Sequence, residues 1–178
     1  MDPVRFTVPD PSLILLIGPS GSGKSTFAER HFLPTEVLSS DALRAMVSDD
    51  PTDQTATTDA FDILHAVADK RLARGRLTVI DATNVQRESR HALQKLASAR
   101  RVPTVAVVFD LPEGLCLERS TRRQDRRTRT RVIRQQRTQL RRWIRWLDRE
   151  GFSRIVVFRT PQAVESAGID RLPPGKDP

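Results

Sequence analysis

Cysteine is nearly absent from this chain: Cys116 is the one thiol in 178 residues, so no intramolecular disulfide can form. That usage suits a reducing compartment, and a chain of this length builds a core without covalent staples. Long apolar runs are missing too. Nothing approaches the ~20 residues a membrane span requires. The opening "MDPVRFTVPD" lacks the cationic and apolar blocks of a secretory signal. The expectation is a soluble, cytoplasmic protein with no membrane partner. Acid is what one region lacks. Of 30 basic and 22 acidic residues, 13 Arg but only Asp125 and Asp148 fall between Arg119 and Arg149, leaving 17 basic and 20 acidic residues elsewhere. The whole excess of the +8 net charge therefore sits in one block. Such a surface fits a polyanionic ligand docked at one place.

What is present is an alternation of short apolar runs with helical patterns, the mark of a parallel α/β domain. Strands are expected at Leu13–Ile17, Glu36–Ser39, Leu77–Ile80, Thr104–Phe109 and Ile155–Phe158. They are nearly continuous in apolar residues, as where helices cover both faces of a sheet. Helices are expected at Gly23–His31, Asp41–Val47, Thr58–Arg74, Gln86–Arg100 and Arg131–Glu150, with Gly75 and Gly151 as stops. "SDDPTDQTAT" reads as a loop, and Leu111–Thr130 as an arginine-dense connector. One domain is expected over residues 1–160, with a lid at about 112–130, followed by a partly flexible tail at 161–178.

The octet "GPSGSGKS" spans Gly18 to Ser25 and matches G-x-x-x-x-G-K-S between an apolar run and a helical pattern. Glycines at 18, 21 and 23 let the backbone curl, so that its N–H groups, including those of Ser20 and Ser22, point inward at phosphate oxygens. The start of the next helix, from Lys24 through Thr26, adds unpaired N–H groups and a partial positive charge. Lys24 is expected to reach the β and γ phosphates of ATP or another NTP, and Ser25 to ligate Mg²⁺. A Ser/Gly loop matching by chance would lack the flanking strand and helix. The octet speaks for a nucleotide and says almost nothing about the acceptor.

"VLSSDALR" follows the second expected strand. Ser39 or Ser40 could cap the helix and Asp41 complement its dipole. At the carboxyl end of a strand in an open α/β sheet, however, a carboxylate also stands where sites are built. There Asp41 could take the proton of an attacking hydroxyl. Arg44, three residues on, shares its helix face and suits an acceptor that carries a phosphate, although a surface cation would look the same. "LTVIDATNVQ" ends the third strand at Asp81 in the manner of a Walker B acid, adjacent to the site without a direct metal bond.

Arginines at 119, 123 and 126 are placed to neutralise γ-phosphoryl charge from a lid. Farther on, Ile133, Gln136, Leu140, Trp143, Ile144 and Leu147 recur at steps of three or four and form an inward stripe. Trp146 lies off the stripe, at the surface or flanking it. Arg131, Arg134, Arg137, Arg141, Arg142, Arg145 and Arg149 also lie largely off the stripe, with almost no acid to pair them. A charged run is ordinarily a solvated face; here the missing counter-charge favours a polyanion or an absent acidic partner. His31, His65 and His91 share no ligand spacing, and Cys116 has no triad partner, so none is assigned chemistry.

Taken together, "GPSGSGKSTFAERHF", "LSSDALR", "DQT", "AFDILH", "TVIDATNVQ", "AVVFDLPE", "CLER", "RQDR" and "REGF" resemble the 5′-OH polynucleotide kinase module of bacterial RNA end-healing and repair enzymes. The likeness runs from about Leu13 to Phe158. It implies a P-loop kinase fold, a mostly parallel five-stranded sheet flanked by helices with an arginine-rich lid and a long basic C-terminal helix. It implies transfer of the NTP γ-phosphate to a 5′-hydroxyl of RNA or DNA with Mg²⁺. The family's loop lysine and serine fall on Lys24 and Ser25, its general base on Asp41, its acceptor-contacting arginine on Arg44, and its lid arginines on Arg119, Arg123 and Arg126. Related enzymes often fuse the kinase to phosphatase and ligase domains, so the resemblance implies either a domain excised from such a chain or a stand-alone kinase with separate phosphatase and ligase partners. The added arginine over Thr128–Arg149 is a second departure, bearing on acceptor preference. The rival expectations are a small-molecule kinase of the gluconate or shikimate type, or a nucleotide-sensing module without transfer.

Overall fold

A computed structural model describes residues 4–120 and 126–173, and the side chains of 126–129 lie outside it. Strand β1 is Arg5–Pro9, β2 Leu13–Ile17, β3 Val37–Ser39, β4 Thr78–Asp81, β5 Thr104–Phe109, β6 Arg154–Phe158 and β7 Gly168–Leu172. Helix α1 is Lys24–His31, α2 Ser40–Ser48, α3 Thr57–Ala73, α4 Arg87–Ala99, α5 Glu113–Ser120, α6 Arg126–Trp143 and α7 Pro161–Glu165. Short 3₁₀ turns precede β3 (Pro34–Glu36) and follow α6 (Ile144–Glu150).

Five strands form one sheet in the order β3-β4-β2-β5-β6, all parallel. The continuous apolar runs in β2 and β5 have the reason anticipated: every residue of both strands is buried. Alternate residues feed two cores. Ile14, Leu16, Val107 and Phe109 pack with Phe27 and Phe158 on one face. Leu13, Leu15, Ile17 and Val108 pack with Leu64, Ala68 and Leu93 on the other. The four phenylalanine rings at 6, 27, 109 and 158 meet edge-on or tilted on the first face.

Four readings of the sequence change. The chain beyond residue 160, expected as a partly flexible tail, continues through α7 and β7 to Leu172, while 174–178 lie outside the described residues. Strand β7 pairs in parallel with β1, a two-stranded sheet missed in the sequence because its halves lie more than 150 residues apart. The basic helix begins at Arg126 rather than Arg131, and at Ile144 it tightens into a 3₁₀ turn that ends on Gly151 at φ 84°. Within the 112–130 connector, α5 is an ordered helix.

Helix α6 is not laid along one face. Ile133 joins the core around Phe27 and Cys116, whereas Leu140 and Leu147 join the core around Leu93 and Val108. The helix thus crosses from one side of the sheet to the other next to the phosphate loop. A buried ion pair fixes the far end: Arg90 donates to Glu150 at 2.8 and 2.5 Å, and both side chains are almost fully enclosed.

Candidate active site: a phosphate loop roofed by the arginine helix

The carboxyl ends of three adjacent strands are level. Asp81 of β4 is in register with Leu16 of β2 on one side and Ser39 of β3 on the other. Two residues beyond Leu16 is Gly18, and two beyond Ser39 is Asp41. Parallel register therefore sets the loop, Asp81 and Asp41 on one edge of the sheet, where sites in open α/β sheets form.

The loop is held before any ligand arrives. The Gly18 amide donates to the Thr83 carbonyl at 2.9 Å, and the Ser22 amide to Pro19 at 3.2 Å. Gly21 and Gly23 have φ of 77° and 90°, which only glycine adopts without strain. Space is as demanding as conformation at Gly21, where a Cβ would stand 2.2 Å from the Cys116 carbonyl oxygen. Helix α1 starts at Lys24 and its first internal bond runs from the Phe27 amide to Gly23. The amides of Lys24, Ser25 and Thr26 thus have no partner within the helix and face forward as an anion receptor.

Lys24 is buried and donates to the carbonyls of Gly18 and Pro19, each at 2.9 Å. Burial pulls its pKa below that of free lysine, and the charges of Asp81 and Asp41 oppose that fall. Ser25 donates to Asp81 at 2.7 Å. Burial pushes the Asp81 carboxyl up, against the Ser25 bond and Lys24, while Asp41 and Glu29 add repulsion. A serine hydroxyl oriented by a carboxylate beside a lysine fits a hard divalent cation: Ser25 would be the ligand, with Asp81 behind it.

Asp41 lies in the first turn of α2, whose cap is Ser39, accepting from the Ala42 amide at 3.3 Å. Its carboxylate is mostly open to solvent and forms an ion pair with Arg44. Arg44 is largely enclosed, and its Nε also donates to the Pro51 carbonyl at 3.0 Å, which pins the guanidinium to the loop after α2. Asp41 follows Ser39, which is level with Asp81, so the two acids share the edge of the sheet that carries the loop.

Of the lid arginines, Arg119 ends α5, with Nη1 3.5 Å from where a Cβ on Gly23 would stand, directly over the loop. Arg123 and the side chain of Arg126 lie outside the described residues. Helix α6 adds a contact the sequence did not announce. Gln136, read as one of the inward stripe, accepts from the Ser20 amide at 2.8 Å, and the Ser22 amide donates to Pro19. These two N–H groups, expected to face the phosphate, are bonded within the protein instead. Arg137 beside it is largely enclosed, near Glu113, and its charge reaches Cys116 under the loop. Spacing sets Gln136 on the inward stripe, whereas Arg137, which spacing sets off it, is enclosed instead because Glu113 of α5 pairs with it. Asn84, with φ 48°, donates from Nδ2 to the Leu16 carbonyl at 2.8 Å and ties the strand exit before the loop to the exit of β4. Trp146 is exposed with Arg149 stacked 4.3 Å from its ring centroid. No cluster of metal-ligating side chains occurs among the described residues, and none of their helices is long and apolar enough to cross a membrane.

A five-stranded parallel sheet flanked by helices, a phosphate loop after its central strand and an acid ending the neighbouring strand define a P-loop protein of kinase type. The sequence model of the AAA_33 family, described as an AAA domain, matches residues 13–149, and the chain belongs to that family. Transcription factor bHLH140 of Arabidopsis thaliana is 33% identical over 111 residues, which are 62% of this chain and 11% of that protein. A chain from the Pnkp1/Rnl/Hen1 RNA repair complex is similar at 27% identity and TM-score 0.62 over 78% of this chain and 46% of its own. A gluconokinase from Sinorhizobium meliloti 1021 shares the fold at 23% identity and TM-score 0.53, over 89% of this chain and 87% of its own. The chain thus spans a small part of the plant protein and under half of the repair-complex chain.

Proposed function

We propose that the protein is a 5′-hydroxyl polynucleotide kinase, with ATP or another NTP as donor and the 5′ end of RNA or DNA as acceptor. The observation that carries this reading is the Asp41–Arg44 pair at the mouth that also holds Lys24. An acceptor with a hydroxyl to deprotonate and a neighbouring phosphate to grip matches one carboxylate and one guanidinium on adjoining turns. The acid-poor arginine helix over the loop and the likeness to a chain of an RNA repair complex support the same acceptor class. A single kinase domain that takes in α7 and β7, the cytoplasmic setting and separate phosphatase and ligase partners belong to this proposal.

In this mechanism the loop amides and Lys24 hold the β and γ phosphates, and Thr26 and its neighbours in the first turn of α1 add N–H donors. Ser25, with Asp81 behind it, would hold Mg²⁺, which would supply positive charge to offset that of the triphosphate. Asp41 accepts the proton of the 5′-hydroxyl as that oxygen bonds to the γ-phosphorus, and the bond from phosphorus to the β–γ bridging oxygen breaks, releasing the nucleoside diphosphate. Arg44 positions the acceptor's first phosphate. Arg119, together with Arg123 and Arg126 from the lid, neutralises charge on the equatorial oxygens.

The deciding experiment offers labelled ATP with 5′-OH oligonucleotides of RNA and DNA against gluconate, shikimate and related metabolites. Label on the oligonucleotide is expected. Label only on a metabolite, or on nothing, overturns the reading. In the same assay Asp41→Asn should lower transfer by about 10²- to 10⁴-fold while nucleotide binding persists.

A further inference from the structure

The outward face of α3 is self-complementary. Every fourth residue from Ala60 to Leu72 is buried in the core, so the opposite face is open, and Asp59, Asp62, Ile63, Ala66, Val67, Lys70 and Arg74 lie on it. Acid occupies the first half, base the second, and aliphatic residues the middle. Ile63 and Val67 remain 39% and 37% exposed. Beside the basic half runs a surface groove of about 490 Å³, lined by Ala66, Val67, Lys70, Arg71, Arg74 and Arg76, four cations with no carboxylate.

We infer that this face pairs α3 antiparallel with α3 of a second copy of the chain, about a two-fold axis between Ala66 and Val67. Antiparallel helices related by that axis set residue n opposite residue 133 minus n. Asp59 then faces Arg74 of the partner copy, Ile63 lies under the aliphatic stem of Lys70, and Ala66 meets Val67. Each relation occurs twice, as an isologous contact requires. The knob formed by Ile63 with Asp59 enters the groove of the other copy beside Lys70 and Arg74, and the groove of the first copy receives the reciprocal knob. Each half alone is ordinary. What favours a second copy over an unrelated acidic protein is that charge, apolar centre and groove are matched by the same helix run backwards.

This contact uses no residue of the phosphate site, so it stands or falls independently of the kinase reading. Equilibrium sedimentation over loadings of about 1 to 100 μM should show a monomer–dimer equilibrium for the unaltered chain. Arg74→Asp places two carboxylates opposite Asp59 at both ends and should weaken association by at least about tenfold. The double variant Asp59→Arg with Arg74→Asp restores the pairing with signs exchanged and should regain the dimer. Val67→Glu, at the axis, should also give a monomer. A monomeric unaltered chain at every loading, or Arg74→Asp and Val67→Glu associating as strongly as the parent, overturns the proposal.

Discussion

The side-chain carbonyl of Gln136, midway along the arginine helix, accepts a hydrogen bond from the backbone amide of Ser20 in the phosphate loop at 2.8 Å. The helix that carries much of the positive charge is therefore fastened to the element that holds the nucleotide. Gln136→Ala removes one neutral hydrogen bond, worth about 0.5–1.5 kcal/mol. The expected result is a nucleotide KM raised by about two- to tenfold, with a smaller change in kcat. Steady-state kinetics and amide exchange at Ser20 measure both sides of the contact. Unchanged KM with unchanged protection at Ser20 would detach the helix from the loop.

Gly21 is the tightest point of the loop. Alanine there meets the Cys116 carbonyl and must also hold φ near 77°. The backbone strain alone costs about 1–2 kcal/mol, and the clash forces α5 and the loop apart. Gly21→Ala is expected to weaken nucleotide binding by well over about fivefold in calorimetric titration. Gly114, which has open space around it, is the control position and should tolerate alanine.

The Arg90–Glu150 pair is enclosed, and Arg90 also donates to the Asn84 carbonyl at 2.9 Å. Removing one partner leaves a buried charge uncompensated, at a cost of about 3–5 kcal/mol. For a chain of this size that corresponds to a fall in Tm of about 6–20 °C. Arg90→Met or Glu150→Leu alone should each show the fall in thermal unfolding, and the double apolar variant should recover part of it. A double variant no better than the singles would mean that the pair acts through its backbone partners instead.

Acid stability has an identifiable contributor in Glu36. Burial by itself would raise its pKa, but two bonds from Arg171 at 2.8 and 2.7 Å and one from the Leu33 amide prevail and lower it. A carboxyl lowered in the folded state contributes stability that is complete above its unfolded value, about 4.3, and is lost as pH falls through the lower folded value. Denaturant titrations of the parent and Glu36→Gln should therefore converge as pH drops below about 4. A constant difference between them down to that range would assign the effect to packing.

Much of the architecture was legible because it is written locally. Five apolar runs predicted five strands at nearly the observed limits, since a parallel strand buried on both faces must be apolar throughout. The octet from Gly18 to Ser25 announced its geometry because glycine at 21 and 23 permits the positive φ observed there. Asp41 and Arg44 were legible as neighbours through their helical spacing, and their ion pair is observed. The β1–β7 sheet was not, because pairing over more than 150 residues leaves no local trace beyond a short alternation in β1. Arg123 and the side chain of Arg126 belong to the sequence reading alone.

The order of residues by itself settled a parallel α/β domain, a phosphate loop and an acid-poor arginine block, for all three follow from chain-local properties: periodicity, glycine spacing and charge density. That Glu113 pairs with Arg134 and Arg137 came from the fold. Only the folded molecule decided that Asp81 stands level with Leu16 and Ser39, that Gln136 reaches Ser20, and that α6 crosses from one core to the other. Those are relations between segments far apart in the chain. They exist because apolar side chains on both faces of one sheet had to be covered at once, and covering them carried the arginine helix over the loop.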